Sequence, residues 1–111
     1  MRAEAQAHVD TINEALALVR RFLDWDRAVR RLDELNARVE DPTLWENPKA
    51  AQDVMRERRR LDEAITATRA IQREMSDTVE LIEMADAEGD AEMADEGTQS
   101  LAQLAERAEQ D

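Results

Sequence analysis

Apolar side chains recur along the first part of the chain at alternating intervals of four and three residues. This 3.5-residue period places them on one face of a helix, as in coiled-coil packing. A second stripe follows, one position out of phase with the first. The two stripes predict helices over residues 3–23 and 26–40. The first stripe consists of Ala5, Val9, Ile12, Leu16, Val19 and Leu23, and the second of Phe22, Trp25, Val29, Leu32, Leu35 and Val39.

The phase change between these stripes falls on the segment L-D-W-D, residues 23–26. One interpretation is a helix break, with Asp24 as the N-cap of the second helix. The other is a kink or drift within one continuous helix. A break or sharp kink is favoured, and the pattern leaves both interpretations open.

The segment D-P-T-L-W-E-N-P, residues 41–48, contains both prolines of the chain and one of its two tryptophans. Pro48 is excluded from a helix interior, because proline lacks an N–H group and its ring clashes with the preceding turn. It fits the first position of a helix capped by Asn47. Asp41 and Pro42 repeat this arrangement for a short helix over 42–45. Residues 41–47 are therefore predicted to reverse the chain, with Trp45 as a wedge facing Val39 and Ala51.

Residues 48–87 contain no helix-breaking residue after Pro48, and their inward positions keep the 3–4 spacing. At about 1.5 Å per residue, this helix would be about 60 Å long. The inward positions are Ala51, Val54, Arg58, Leu61, Ile65, Thr68, Gln72, Met75, Val79 and Ile82.

A second turn is predicted at 88–90, where Gly89 can adopt a left-handed conformation and Asp90 can cap the next helix. The last helix, 91–110, carries Met93 or Ala94, then Leu101, Leu104 and Ala108 on its inward face. Gly97 weakens this helix by roughly 1 kcal/mol relative to alanine. It is therefore expected to be the least stable element.

These elements predict an all-α fold, an elongated antiparallel helical bundle with a long coiled-coil-like hairpin, as a single domain over residues 1–111. Composition agrees, because the chain is 42% hydrophobic and 38% charged, with two Gly, two Pro, one Phe, two Trp and no Tyr. No cysteine is present, which excludes disulfides. No signal peptide or membrane span is recognised, so a soluble cytoplasmic protein is expected.

The net charge of −12 is unevenly distributed along the chain. Residues 1–73 carry 14 basic and 14 acidic side chains, whereas residues 74–111 carry 1 basic and 13 acidic ones. The acidic part would repel nucleic acid. Any RNA contact is therefore expected in the first 73 residues.

The sequence offers no catalytic, cofactor or metal site. His8 is the only histidine and is interpreted as a solvated helix residue. The carboxylates at 80–96 do not follow the ligand spacing of a calcium loop, and Gly89 and Gly97 do not form a phosphate-binding loop. No nucleophile–base pair is present, so an enzyme is not expected.

Arg56, Arg59 and Arg60 share one helical face at i, i+3 and i+4. Three guanidinium groups in this arrangement can hold RNA phosphates, which makes them a candidate RNA contact. The alternative is ordinary pairing within the helix, with Asp53 and Glu63 as partners.

The segments L-D-W-D at 23–26, R-R-L-D-E-L-N-A-R-V-E-D-P-T-L-W-E-N-P-K-A-A-Q at 30–52 and V-E-L-I-E-M-A-D-A-E-G-D at 79–90 resemble the N-terminal region of bacterial peptide chain release factor 2. That family recognises the stop codons UGA and UAA on the ribosome and triggers hydrolysis of peptidyl-tRNA. Its Gly-Gly-Gln catalytic and Ser-Pro-Phe codon-reading motifs are absent here. The resemblance implies that this chain is the first domain alone.

By the same resemblance, the expected partners are the ribosome, at the stalk base of the large subunit, and the GTPase that recycles the factor. No small-molecule substrate and no membrane are expected, and a monomer is favoured. The alternative is a free-standing coiled-coil adaptor or oligomerisation module. It is suggested by the length of the 48–87 helix and by the polar seam positions Arg58, Thr68 and Gln72.

Overall fold

In the computed structural model, which describes residues 1–110, every regular element is a helix. The all-α class is thereby confirmed. Four α-helices and one 3₁₀ helix follow each other along the chain: α1 (Ala3–Leu23), α2 (Trp25–Val39), the 3₁₀ helix (Pro42–Glu46), α3 (Pro48–Glu88) and α4 (Ala91–Gln110).

A single residue, Asp24, separates α1 from α2. Its φ of 54° and ψ of 70° lie in the left-handed region, which aspartate adopts more readily than most residues. Its carbonyl accepts the first α2 hydrogen bond from the Ala28 N–H at 2.9 Å, but its side chain makes no capping hydrogen bond. The structure therefore has a helix break at this point, made by the backbone conformation and not by a side-chain cap.

The chain divides into two compact units. Residues 20–67 carry 11 basic and 11 acidic side chains and are called the neutral unit. Residues 1–19 and 68–111 carry 4 basic and 16 acidic side chains, and therefore the entire net charge, and are called the acidic unit. The assignment of residues 1–111 to a single domain stays a prediction.

The core of the neutral unit joins α2, the 3₁₀ helix and the first part of α3. Its buried members are Leu35, Leu44, Ala51 and Val54, with Val39, Ala50 and Leu61 packed against them. Phe22 was expected in the α2 stripe, but the structure shows that this expectation is wrong, since 89% of its surface is exposed. Ala28 is buried instead.

Arginine side chains form polar links between α2 and α3 within the neutral unit. Arg31 donates from Nε and Nη2 to the two carboxylate oxygens of Glu57, both at 2.8 Å, and from Nη1 to Glu34 at 3.1 Å. Arg58 donates from Nε to Asn36 Oδ1 at 2.6 Å. The forked Arg31–Glu57 pair raises the pKa of Arg31 and lowers that of Glu57, because the hydrogen bonds favour both charged forms.

The acidic unit packs α1, the second part of α3 and α4 around one apolar core. Its buried members are Ala5, Ile12, Leu16, Ile71, Met75, Ile82, Leu101, Leu104, Ala105 and Ala108. At the turn before α4, Gly89 has a φ of 73° and Asp90 Oδ1 accepts from the Met93 N–H at 3.1 Å.

Gly97 in α4 is buried against Ile82 of α3. A Cβ atom added there would lie 2.5 Å from Cγ1 of Ile82, which is itself buried and β-branched. The sequence suggested only a weak point in the helix. The structure shows that the missing side chain is what allows α4 and Ile82 to approach this closely.

Candidate functional site

The reversal between α2 and α3 is built by two helix starts in succession. Asp41 Oδ1 accepts from the Thr43 N–H at 3.0 Å and from the Thr43 hydroxyl at 2.9 Å, and Pro42 begins the 3₁₀ helix. These hydrogen bonds lower the pKa of Asp41 because they favour its charged form. Asn47 Oδ1 then accepts from the Ala50 N–H at 3.2 Å, with Pro48 at the first position of α3.

Trp45, which the sequence predicted as a wedge facing Val39 and Ala51, contacts Val39 but is not buried. Its side chain is 52% exposed, whereas the neighbouring Leu44 is only 7% exposed and belongs to the core. In a short 3₁₀ helix, only one of these two adjacent side chains can point inward. The indole Nε1 donates to the Val39 carbonyl at 3.1 Å, which fixes the ring while leaving much of its surface open.

A groove of about 500 Å³ lies beside this ring. We call it the Trp45 groove. Trp45 and Pro48 line one end, the buried Ala51 belongs to its wall, and the exposed Met55 lies one turn further along α3. Its remaining lining residues are Gln52, Arg56 and Arg59. An apolar surface thus lies next to two guanidinium groups.

The three arginines proposed as contact residues are all exposed. Within residues 1–110, no hydrogen bond and no ion pair joins Arg56, Arg59 or Arg60 to another side chain, so Asp53 and Glu63 do not pair with them. Arg60 contributes to the lowered pKa of Glu57 through its charge alone. Two of the three line the Trp45 groove, a juxtaposition that the sequence pattern did not reveal.

The Trp45 groove and the arginines beside it form an exposed surface suited to binding. In the described part of the chain, no three His, Cys, Asp or Glu side chains lie close enough together to hold a metal ion. No helix among residues 1–110 combines the length and apolarity needed to cross a membrane. What the site offers is exposed positive charge and an open apolar groove, both of which suit a macromolecular partner.

Comparison with known proteins gives a consistent result. A family model described as the PCRF domain matches residues 28–111. A peptide chain release factor 2 of Paramagnetospirillum magneticum is 48% identical over 97% of this chain and 29% of its own length. The release factor 2 of Ruegeria sp. is 44% identical over 99% of this chain and 29% of its own length, and that of Variovorax paradoxus 39% identical over 84% and 24%.

In these comparisons, the chain corresponds to the N-terminal region of its relatives. The chain spans less than a third of the length of these relatives. The resemblance drawn from the 23–26, 30–52 and 79–90 segments is confirmed.

Proposed function

The chain belongs to the PCRF domain family, and from that premise we propose that it serves as the accessory N-terminal domain of a translation termination factor. The supporting observation is the 48% identity to a release factor 2 across nearly the whole chain. In this proposal the complete factor directs peptide release at UGA and UAA codons, whereas residues 1–111 supply contacts and no chemistry. Action in the cytoplasm follows, because that is where bacterial ribosomes work.

Within this domain, we propose Arg56, Arg59 and Arg60 as the surface that faces the ribosome. Exposed arginines without partners in the described chain are free to form charge-assisted hydrogen bonds with phosphate groups. They also belong to the neutral unit, where the net negative charge that would repel RNA is absent. The stalk base of the large subunit and the recycling GTPase are the proposed partners.

The adaptor alternative was suggested by the length of α3, which the structure keeps, and by three polar seam positions, which make contacts within the chain. Arg58, which the sequence placed in a seam open to a partner helix, bonds Asn36 of the same chain at 2.6 Å. Thr68 is only 4% exposed, and neither it nor Gln72 is without a partner in the structure. These polar seam positions are therefore used within the chain and give no reason to expect a second helix.

Ribosome pelleting with Arg59→Glu tests the contact surface. The 111-residue chain is mixed with ribosomes stalled at a stop codon, and the bound fraction is followed as salt is raised. We expect Arg59→Glu to change the free energy of unfolding by no more than about 0.5 kcal/mol, since surface substitutions away from buried features rarely exceed this. The variant should bind ribosomes more weakly than the unmodified chain. Its bound fraction should also decrease less steeply as salt is raised, because one ionic contact has been lost.

Arg73→Glu is the matched control, because it makes the same charge change at an exposed α3 position in the acidic unit, about four turns further along the helix. Equal losses for both variants would show that net charge alone matters and would contradict the proposed surface. No binding by the unmodified chain, under conditions where a complete release factor binds, would contradict the proposed role of the domain.

A further inference from the structure

The Trp45 groove presents three features that an internal packing defect would not have. It is open to solvent, its two largest apolar members are exposed, with Trp45 at 52% and Met55 at 37%, and the tryptophan is held in place by its bond to Val39. A fixed aromatic ring loses little conformational entropy when a partner covers it, which is why tryptophan is common at binding hot spots.

The size and chemistry of the groove define what can enter it. About 500 Å³ is enough for one or two side chains of an incoming segment. The wall combines an indole, a proline ring, an alanine and a thioether, and methionine adapts its shape to differently branched apolar groups. An apolar side chain would gain from burial here without needing a hydrogen-bond partner.

The charge beside the groove defines what must flank that side chain. Arg56 and Arg59 line it, are exposed, and make no ion pair within residues 1–110. They lie three residues apart on α3, so both guanidinium groups face the same side of the helix. Carboxylates next to the buried apolar side chain would complete both pairs, whereas lysine or arginine there would be repelled.

A nucleobase fits these observations less well than a peptide. Bases taken up by proteins are held by stacking and by hydrogen bonds around their edges. Among residues 1–110, four of the seven lining residues are apolar or aromatic, namely Trp45, Pro48, Ala51 and Met55. Polar base edges that lie against these four would lose hydrogen bonds to water without replacement.

We propose that the Trp45 groove is a protein-docking site for an acidic segment that inserts an apolar side chain between Trp45 and Met55 and pairs its carboxylates with Arg56 and Arg59. The charged half of this site overlaps the surface assigned to the ribosome above. The apolar half is independent of that assignment. The apolar half of the groove therefore specifies a protein side chain, and not a nucleobase, as its occupant.

Selection from a random-peptide display library against the 111-residue chain tests the site without a ribosome. Selected peptides are synthesised and titrated into the ¹⁵N-labelled chain. We expect the enriched sequences to combine an apolar residue with neighbouring Asp or Glu, and to shift the indole N–H signal of Trp45 while leaving that of Trp25 in place. Met55→Gln should weaken binding by about tenfold or more.

Met84→Gln is the control for that variant, since it makes the same substitution at another exposed α3 methionine, in the acidic unit. Arg59→Gln should weaken binding and flatten its dependence on salt. Enrichment of basic peptides, or equal effects of Met55→Gln and Met84→Gln, would overturn the site. So would a single-stranded RNA oligonucleotide that shifts the Trp45 signal at concentrations where the selected peptides do not.

These outcomes are separate from those of the ribosome experiment. Met55→Gln removes no charge, so a loss of peptide binding with unchanged salt-dependent ribosome pelleting would support the groove and leave the arginine contact standing. If peptides bind as described and the chain never associates with ribosomes, the docking site stands and the proposed role in termination does not.

Discussion

Residues 20–67 bring four buried apolar side chains together in their core, whereas residues 1–19 and 68–110 bring together ten. The neutral unit supplements its small core with the Arg31–Glu57 fork and the Arg58–Asn36 bond, which join α2 to α3 at defined positions. The acidic unit has ion pairs between Arg2 and Asp95 and between Arg107 and Glu74, but these side chains are more than half exposed. Exposed pairs stabilise little.

The difference shows two ways of aligning helices within a unit. Apolar burial is non-directional, so a larger core needs close approach of the helices, such as that between Gly97 and Ile82. Forked arginine–carboxylate bonds are directional and fix one helix against another even where few apolar atoms meet. The neutral unit can therefore leave Trp45 and Met55 exposed without losing its helix alignment.

Truncation of one core residue in each unit should have the largest effect. Leu35 and Leu101 are both fully buried, and we expect Leu35→Ala and Leu101→Ala each to cost about 2–5 kcal/mol in the free energy of unfolding. Chemical denaturation measures this total. Native-state hydrogen exchange should show lost protection first in the unit that carries the change, and simultaneous loss in both units would show that they behave as one cooperative structure.

Gly97→Ala tests the close helix approach in the acidic unit. Alanine favours a helix over glycine by roughly 1 kcal/mol, so propensity alone predicts stabilisation. The clash with Ile82 predicts the opposite, and we expect a net loss of about 1–2 kcal/mol in thermal or denaturant unfolding. Ser100→Ala, at an exposed position of α4, is the control and should be neutral or slightly stabilising. A stabilised Gly97→Ala variant would rule out the tight contact.

Trp45→Ala measures how much the exposed ring contributes to the neutral unit. The variant loses one hydrogen bond and a half-exposed side chain, so we expect a cost of about 1–2 kcal/mol. This is below the 3–5 kcal/mol expected for a buried tryptophan. Leu44→Ala, at the adjacent buried position, should cost more in the same thermal melts. If Trp45→Ala cost more stability than Leu44→Ala, Trp45 and not Leu44 would be the core residue of the turn.

Acid should weaken the Arg31–Glu57 ion pair. Its effect on stability should be smaller than that of the core, Gly97 and Trp45 substitutions. The pKa of Glu57 is lowered from its ordinary value of 4.5, so its contribution to stability is complete above that pH. It is lost as the pH falls through the lowered folded-state value. Melting temperatures measured between pH 7 and pH 3 should therefore drop less for Glu57→Gln than for the unmodified chain. Parallel curves would mean that the link contributes nothing measurable.

The helical pattern was readable from the sequence wherever the spacing of aliphatic residues was regular. Ile12, Leu16 and Leu35 lie at predicted stripe positions and are buried. Phe22 was misplaced because an aromatic residue satisfies an apolar pattern whether its ring points inward or outward. Trp45 was placed only by its position in the turn, which does not fix the direction of its ring. The direction of an aromatic ring depends on which nearby side chain fills the core. In the turn, Leu44 fills it and Trp45 does not.

Features that depend on contact between two helices could not be predicted from the spacing of apolar residues along the chain. The burial of Gly97 requires knowing that Ile82 faces it, and the Trp45 groove requires the 3₁₀ helix to lie against the start of α3. The phase shift at 23–26 indicated an interruption. Aspartate tolerates a left-handed backbone but is also common in other conformations, so residue type did not determine the conformation of Asp24. The arginine face was visible from i, i+3 and i+4 spacing, and its position beside an apolar groove was not.

The order of the two units along the chain has a consequence for how they assemble. The neutral unit is one continuous segment, so α2 meets α3 across only the short reversal at residues 40–47. The acidic unit is discontinuous, and α1 reaches its partners across the whole of the neutral unit. Loop-closure entropy grows with the logarithm of the intervening length, so the α2–α3 pairing has the smaller entropic barrier to nucleation. Once that segment is ordered, the chain separating α1 from the end of α3 is no longer a flexible loop.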